Sequence, residues 1–260
     1  MNKIYLYALI VLLICTAEAK AQDTGWPAVQ TQAKPGTRWW WMGSAVDKEN
    51  ISRNIQIYAN AGLGSLEITP IYGVKGNEAN EIPYLSDQWM EILAHTQKEA
   101  KANGIFIDMN TGTGWPFGGP DVTIQDAASK LLISKYHISG NRKVVLNIVP
   151  TDEKDRKHAT LSKLMAFSEK GTPIDLTHKV VNNHLQWNAP QGNWLLIAAF
   201  CGKTLQKVKR AAPGGEGYVM NHLDARAVGN YLNKFDVAFS KANTPYPHNF
   251  FNDSYEVYQA

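Results

Sequence analysis

The first half of the chain alternates short apolar runs with stretches in which apolar residues recur every three or four positions. The recurring spacing predicts two helices, the first capped by Asp47 and the second by Ser86 or Asp87. The apolar runs predict strands, at residues 37–45, 65–72 and 105–110. A β-α-β-α-β order with short connections is typical of a parallel sheet covered by helices.

The pattern changes between about residue 130 and residue 208, where only short strands are indicated. We predict here an antiparallel β module inserted after the third parallel strand. Its candidate strands are residues 131–138, 144–149, 184–187 and 194–200, with a short helix at 160–167. After the glycine-rich residues 214–217, Asp224 can cap a further helix, with Val228, Leu232, Phe235 and Phe239 inward, and residues 249–256 predict a fourth parallel strand.

Strand–helix units of this kind fit either an open doubly wound sheet or a (β/α)8 barrel. The dinucleotide-binding pattern G-x-G-x-x-G does not follow the first strand, where Met42, Gly43 and Ser44 stand instead. In a barrel, polar and aromatic residues gather at the carboxyl ends of the strands, as they do here. We therefore predict an α/β fold, a partial (β/α)8 barrel of about four βα units that carries the inserted β module.

The amino-terminal segment has the pattern of a secretory signal peptide. Lys3 precedes an almost unbroken apolar run at residues 4–15, and small residues follow up to Ala21. The run is too short to span a bilayer as a helix, and no other stretch approaches the required length. Cys15 could indicate a lipoprotein anchor, but Ile14 stands before it where a small residue is expected. We predict cleavage after Ala21 and export to the periplasm, the cell surface or the medium.

These patterns predict five regions. They are a signal peptide at 1–21, a leader at 22–36, the first βα units at 37–126, the β-rich module at 127–210 and a return to the sheet at 211–260. Once the signal peptide is removed, Cys201 is the remaining cysteine, so no internal disulfide is possible. Cys201 lies in a pattern typical of a buried strand and is predicted to be a core residue.

Composition narrows the classes of function. Of 260 residues, 44% are hydrophobic, and 26 Lys and Arg against 23 Asp and Glu give a net charge of +3. These values argue against a disordered chain and do not favour a nucleic-acid-binding protein. The one basic cluster, Lys207, Lys209 and Arg210, is interpreted as a solvated strand end.

Three adjacent tryptophans mark the first strand. Alternation along a strand sends Trp39 and Trp41 to one side of the sheet and Trp40 to the other. Three neighbouring indoles cannot all point into one core, so at least one is expected at a functional surface. Flat rings suit the apolar faces of sugars, and an indole N–H can donate to a hydroxyl. Trp40 and Trp41 are therefore candidate substrate-binding residues.

Other candidates lie at the ends of the later strands. Glu67 stands between apolar residues, which indicates a site residue or a structural ion pair. Asn110 ends the third strand and leads into a loop rich in glycine that carries Trp115. Asp253 could bind a ligand or orient another side chain. Hydrolysis of a glycosidic bond uses two carboxylates, and Glu256 is the best candidate for one of them, with a surface glutamate as the alternative.

Several motifs in this chain resemble glycoside hydrolase family 106. The resemblance lies in residues 38–43, 62–76, 109–120, 213–223 and 253–257. It implies a bacterial α-L-rhamnosidase that removes terminal L-rhamnose from plant polysaccharides or rhamnosides with inversion. It also implies a calcium ion that helps to hold the sugar, although it assigns no ligands to that ion. It gives active-face roles to Glu67, Asn110, Trp115 and Glu256.

Members of that family look several times longer than this chain. The remaining barrel strands and the second catalytic carboxylate are therefore expected beyond Ala260, and the chain is expected to be incomplete alone. Two alternatives stay open: a noncatalytic carbohydrate-binding protein and a fragment without function of its own. The expected partner is a rhamnose-containing plant polysaccharide or rhamnoside, and neither a nucleic-acid partner nor a transmembrane segment is expected.

Overall fold

A computed structural model describes Gly25, residues 27–169 and residues 171–256. The predicted signal peptide and part of the predicted leader lie outside the described residues. In chain order the elements are β1 Gly36–Met42, α1 Lys48–Asn60, β2 Ser65–Ile71, α2 Asp87–Ala102, β3 Phe106–Asn110, β4 Gly118–Gly119, β5 Ser129–Ser139, β6 Arg142–Asn147, β7 Thr160–Ser168, β8 Ile174–Asp175, β9 Val180–Val181, β10 His184–Ala189, β11 Asn193–Lys203, β12 Tyr218–Val219, α3 Ala225–Ala242 and β13 Asn249–Phe251. Short 3-10 turns are also present at Thr31–Ala33, Glu78–Asn80, Glu153–His158 and Thr177–Lys179.

A four-stranded parallel sheet organises the chain. Its order is β1-β2-β3-β13, and each neighbouring pair is parallel. This confirms the mixed α/β class and the three early strands. Within the described residues the sheet is open and does not close into a barrel. The fourth strand is shorter than predicted, because its pairing stops at Phe251, opposite Asn110, where β3 itself ends.

Side-chain caps begin the three helices as the sequence predicts. Asp47 accepts a hydrogen bond from the backbone N–H of Asn50 at 2.8 Å, and Ser86 accepts one from the N–H of Trp89 at 3.2 Å. Asp224 caps α3 in the same way. These contacts satisfy backbone donors that have no partner inside the helix.

The buried stripe of α3 differs from the prediction by one position. Tyr231 is buried, whereas Leu232 is exposed. Residues four apart on a helix share a face, and Tyr231 lies four residues before Phe235. Phe235 and Phe239 are buried as expected, while Val228 is partly buried against the core.

The parallel sheet has one apolar face and one polar face. The apolar face packs against the helices and forms the main core together with Trp89 and Phe235. Its strand residues are Trp39, Trp41, Leu66, Ile68, Ile107 and Met109. The opposite face carries the alternating positions, and there Arg38, Glu67 and Asp108 lie side by side in register. The polar side chains therefore share one side of the sheet.

The inserted module consists of antiparallel strands with their own core. One sheet has the order β5-β11-β7-β8 and the other β6-β10-β9. The predicted helix at 160–167 is wrong: this segment is β7, which pairs with β11 over most of its length. Cys201 is also not a core residue. It is exposed because β11 buries alternate positions, and Phe200 and Gly202 take the inward places.

The chain leaves the module and packs against the loop that follows β3. The short strand β12 pairs with β4, and Lys209 forms a single bridge with Trp115. A side chain at Gly118 would meet the carbonyl oxygen of Tyr218 at 2.0 Å, so this approach requires glycine. In the part of the chain that the structure describes, no helix is both long and apolar enough to cross a membrane.

Candidate functional site

Arg38 of β1 is bonded to β2 and to the segment that follows β13, at the polar face of the parallel sheet. Its Nε donates to Oε1 of Glu67 at 3.0 Å, and its Nη1 donates to Oδ2 of Asp253 at 3.0 Å. The three side chains are 30%, 18% and 25% exposed, so the group lies between solvent and the sheet. Glu67 is thus an ion-pair partner on the polar face of the sheet, and its role as a site residue stays a prediction.

Both carboxylates of this group also accept a hydrogen bond from a nearby donor other than Arg38. Oε1 of Glu67 also accepts from the hydroxyl of Thr69 at 3.0 Å, and Oδ1 of Asp253 accepts from the backbone N–H of Ser254 at 2.7 Å. Among the described residues, no hydrogen bond involves the second oxygen of Glu67. A carboxylate has room for about four acceptor contacts, so this group can still accept from ligand hydroxyls.

Two tryptophans form an aromatic surface beside this group. Trp40 is 43% exposed, and its ring centroid lies 6.5 Å from that of Trp115 at an angle of 56°. The Arg38 guanidinium lies 5.3 Å from the ring of Trp40 and 5.0 Å from that of Phe251. We call Trp40 and Trp115 the aromatic platform. Its partly exposed rings are suited to stack on a sugar.

The structure removes Trp41 from the candidate site. Its side chain is fully buried on the opposite face of the sheet, 5.9 Å from the ring of Trp39 and 5.6 Å from that of Trp89. A ring without exposed surface cannot stack on a ligand. Trp41 is therefore corrected to a core residue, and strand alternation explains why Trp40 and Trp41 differ.

Asn110 lies at the carboxyl end of β3, where the sequence placed it. The residue is fully buried, and neither Oδ1 nor Nδ2 of its side chain has a hydrogen-bond partner within the described residues. An unsatisfied buried amide costs about 1–3 kcal/mol, so such groups mark positions where a ligand or water is expected. The nearby Thr113 hydroxyl is unsatisfied in the same sense.

Glu256 occupies a different part of the same edge. Its Oε2 accepts from Nζ of Lys209 at 2.7 Å, and its Oε1 accepts from the Ser254 hydroxyl at 3.3 Å. The side chain is 17% exposed. Glu67 and Asp253 therefore share Arg38 as an ion-pair partner, whereas the ion-pair partner described for Glu256 is Lys209.

The sequence did not predict a role for His222. It lines a cavity of about 20 Å³ together with Gln206 and Glu256, and neither ring nitrogen has a described hydrogen-bond partner. Its ring makes edge contacts with Phe117 at 5.5 Å and Tyr255 at 4.7 Å. Burial lowers the pKa of His222. The only signal in the sequence was its place inside one of the motifs quoted above.

The calcium ion that the resemblance implies does not fit the described residues. They contain no group of three or more His, Cys, Asp or Glu side chains that could hold a metal ion. Glu67 and Asp253 each contact the guanidinium of Arg38, whose positive charge opposes a cation at the same place.

Tryptophan rings and carboxylates on one face of a parallel α/β sheet are suited to a sugar, because rings stack on its apolar side and carboxylates accept hydrogen bonds from its hydroxyls. Comparison with known families agrees. The model of the alpha-L-rhamnosidase family, glycoside hydrolase family 106, matches residues 28–169, which is more than half of the chain. The chain belongs to this family, and the predicted resemblance is confirmed.

Two relatives extend the comparison. A protein of Formosa agariphila named "Putative beta-glucuronidase" is 22% identical over 287 residues, which cover 92% of this chain and 24% of that protein. The structure of a rhamnosidase from Novosphingobium sp. PP1Y matches with a TM-score of 0.58 and 13% identity, over 82% of this chain and 37% of that one. The chain thus spans about a quarter of the first relative and little more than a third of the second.

Proposed function

We propose that this chain forms the sugar-binding face of an exported α-L-rhamnosidase that releases terminal L-rhamnose from plant glycans. The observation that carries the proposal is the aromatic platform beside the Arg38–Glu67–Asp253 group on one face of a parallel sheet. Family membership and the likeness in fold support it. We further propose that the sheet is part of a (β/α)8 barrel with this polar face inside.

Each part of the face has a role in this proposal. The platform of Trp40 and Trp115 stacks on the apolar side of the sugar ring. Glu67 and Asp253 accept hydrogen bonds from sugar hydroxyls, and Arg38 fixes both carboxylates so that little freedom is lost on binding. The unsatisfied amide of Asn110 is a further polar contact for the bound state.

We assign acid–base chemistry to Glu256 as one of the two carboxylates. Inverting hydrolysis needs a second carboxylate about 6.5–9.5 Å away, with room for the attacking water. Glu67 and Asp253 are both bound by Arg38, so we propose that the second carboxylate is supplied from outside the described residues. On this view the chain alone binds rhamnose but does not hydrolyse it at a useful rate.

A binding and hydrolysis experiment tests this function. We expect L-rhamnose to bind the purified chain in calorimetry, and Trp40→Ala to weaken binding about tenfold while Trp40→Phe keeps part of it. Phe167→Ala on β7 is a matched control, since Phe167 is exposed far along the β module. Absence of binding to the wild type would remove the proposed function.

Hydrolysis separates the alternatives. We expect no useful turnover of p-nitrophenyl α-L-rhamnoside by the chain alone, and none of p-nitrophenyl β-D-glucuronide, the glycoside class that the name of the Formosa agariphila relative suggests. Turnover of the rhamnoside that Glu256→Gln abolishes would show a complete site. Turnover of the glucuronide alone would replace rhamnose by glucuronic acid as the sugar at this site.

Export is the remaining part of the proposal. The signal-peptide pattern at residues 1–21 supports it. After expression in a bacterium with its own signal peptidase, mass spectrometry of the periplasmic protein is expected to give Gln22 as the first residue. Retention of the uncleaved chain in the cytoplasm would contradict export.

A further inference from the structure

A line of four aromatic rings and two guanidinium groups crosses the polar side of the parallel sheet. Its members, in spatial order, are Tyr72, Arg210, Trp115, Trp40, Arg38 and Phe251. Successive members lie 5.4, 5.8, 6.5, 5.3 and 5.0 Å apart. The aromatic platform is the middle of this line, and one arginine flanks it on each side.

The two arginines differ in their partners. Arg38 is neutralised by Glu67 and Asp253. The guanidinium of Arg210 donates from Nη1 to the hydroxyl of Tyr72 at 3.1 Å, and among the described residues it forms no ion pair with a carboxylate. Its remaining N–H groups are available, since a guanidinium has five. One end of the platform therefore carries an available positive charge.

The backbone holds Arg210 in this position. The N–H of Tyr72 donates to the carbonyl of Arg210 at 3.0 Å, and the N–H of Trp115 donates to the carbonyl of Lys209 at 3.1 Å. A side chain at Gly114 would meet the Lys209 carbonyl oxygen at 2.0 Å, so glycine permits this close approach. Arg210 itself adopts a left-handed φ of 59°. Backbone hydrogen bonds therefore fix Lys209 and Arg210 to the segments on either side, and the Arg210 side chain lies between the rings of Tyr72 and Trp115.

We propose that Arg210 is a subsite for the carboxylate of a hexuronic acid, placed next to the sugar that stacks on the platform. This rests on the proposed function, because it requires a glycan on Trp40 and Trp115. A planar guanidinium matches a carboxylate with two parallel hydrogen bonds, and stacking on Tyr72 and Trp115 keeps its edge open. The preferred glycan is then acidic: rhamnose linked to a uronic acid.

Three disaccharides with the same linkage test this subsite. They are α-L-rhamnosyl-D-glucuronic acid, its carboxyl-reduced counterpart α-L-rhamnosyl-D-glucose, and the 6-sulfate of the latter. Calorimetry at low ionic strength is expected to give the uronic acid about fivefold tighter binding than the neutral sugar, because an exposed ion pair contributes modestly. The preference should fall at high salt.

Variants locate the effect. In Arg210→Gln the ratio of the two dissociation constants is expected to fall to about one, and Arg210→Lys is expected to keep only part of it, since lysine lacks the planar fork. Arg142→Gln removes an exposed arginine of the β module and should leave the wild-type ratio unchanged. Thermal melting of each variant checks that the fold is retained.

The outcomes separate the two proposals. Equal binding of the acidic and neutral disaccharides by the wild type would overturn the uronate subsite and leave the sugar-binding face intact. Tighter binding of the sulfate than of the uronic acid would overturn the carboxylate specificity. No binding of any of the three would overturn the proposed function itself, whereas an acidic preference that persists in Arg210→Gln would place the anion elsewhere.

Discussion

Replacement of Arg38 by methionine is expected to destabilise the fold and not only the site. The substitution keeps most of the aliphatic length but removes the hydrogen bonds to Glu67 and Asp253, both 3.0 Å long. It also removes the guanidinium contacts with the rings of Trp40 and Phe251. The two carboxylates then lie beside each other without a counter-charge.

The magnitude follows from the exposure of the groups. Partly exposed ion pairs contribute about 0.5–1 kcal/mol each, and each exposed cation–π contact contributes about 0.5 kcal/mol. Together they predict a loss of about 2 kcal/mol in the free energy of unfolding. For a domain of this size, such a loss lowers Tm by about 4–8 °C.

Urea denaturation followed by tryptophan fluorescence measures this loss. Arg38→Met is compared with Glu67→Gln and with the double variant, because the cycle isolates the coupling between the two side chains. We expect a coupling of about 0.5–1 kcal/mol. Lys163→Met is the control: Lys163 forms one ion pair, with Asp175 at 2.6 Å, in which both side chains are half-exposed, and its loss should cost less. An Arg38→Met loss below about 0.5 kcal/mol would refute the reasoning that Arg38 holds the strand ends together.

Further predictions follow from particular residues. Burial lowers the pKa of Lys234 to about 8. Because this pKa lies below that of lysine in the unfolded chain, the buried protonated lysine destabilises the fold below pH 8, and the penalty disappears as pH rises toward about 10.5. Lys234→Met should therefore raise Tm at pH 7 and lose this advantage at pH 10. A gain in Tm that does not change with pH would contradict this. Cys201 is expected to react with a maleimide in the native state, and a need for denaturant would show that it is buried. Trp41→Ala should cost about 3–5 kcal/mol and Trp40→Ala much less, and similar losses in urea unfolding would place both rings in the core. Removal of calcium with EDTA should leave the Tm of the chain unchanged, and a clear decrease would reveal a metal site that the described residues do not show.

Local patterns predicted the helix starts because each depends on few neighbouring residues. Asp47 and Ser86 cap helices through contacts only three residues away. The segment at 160–167 is misread as a helix because the pairing that makes it a strand, with β11, involves residues about 30 positions later. Cys201 was misplaced for a related reason: its neighbours are apolar, but only the packed sheet decides which alternate positions face inward.

The candidate site shows the same division. The sequence identified Trp40, Glu67 and Asp253 as residues of a shared edge, but no local pattern could join them through Arg38. The sequence indicates only a solvated strand end at Arg210. Its contacts with Tyr72 and Trp115 join segments that the β module separates along the chain, so no local pattern shows them. Its place between their rings exists only in three dimensions.

The sequence by itself determined the α/β fold class, most of the strands and helices of the parallel sheet, and the family. These depend on the order of apolar and polar residues and on short motifs, which can be read without knowing the contacts between distant segments. Alternation alone already separated Trp40 from Trp41. Only the tertiary structure decided which of the two reaches the surface, that Glu67 and Asp253 share one arginine, and that Arg210 carries an available charge. Each of these facts depends on contacts between strands and loops far apart in the chain, and packing fixes such contacts where local sequence cannot.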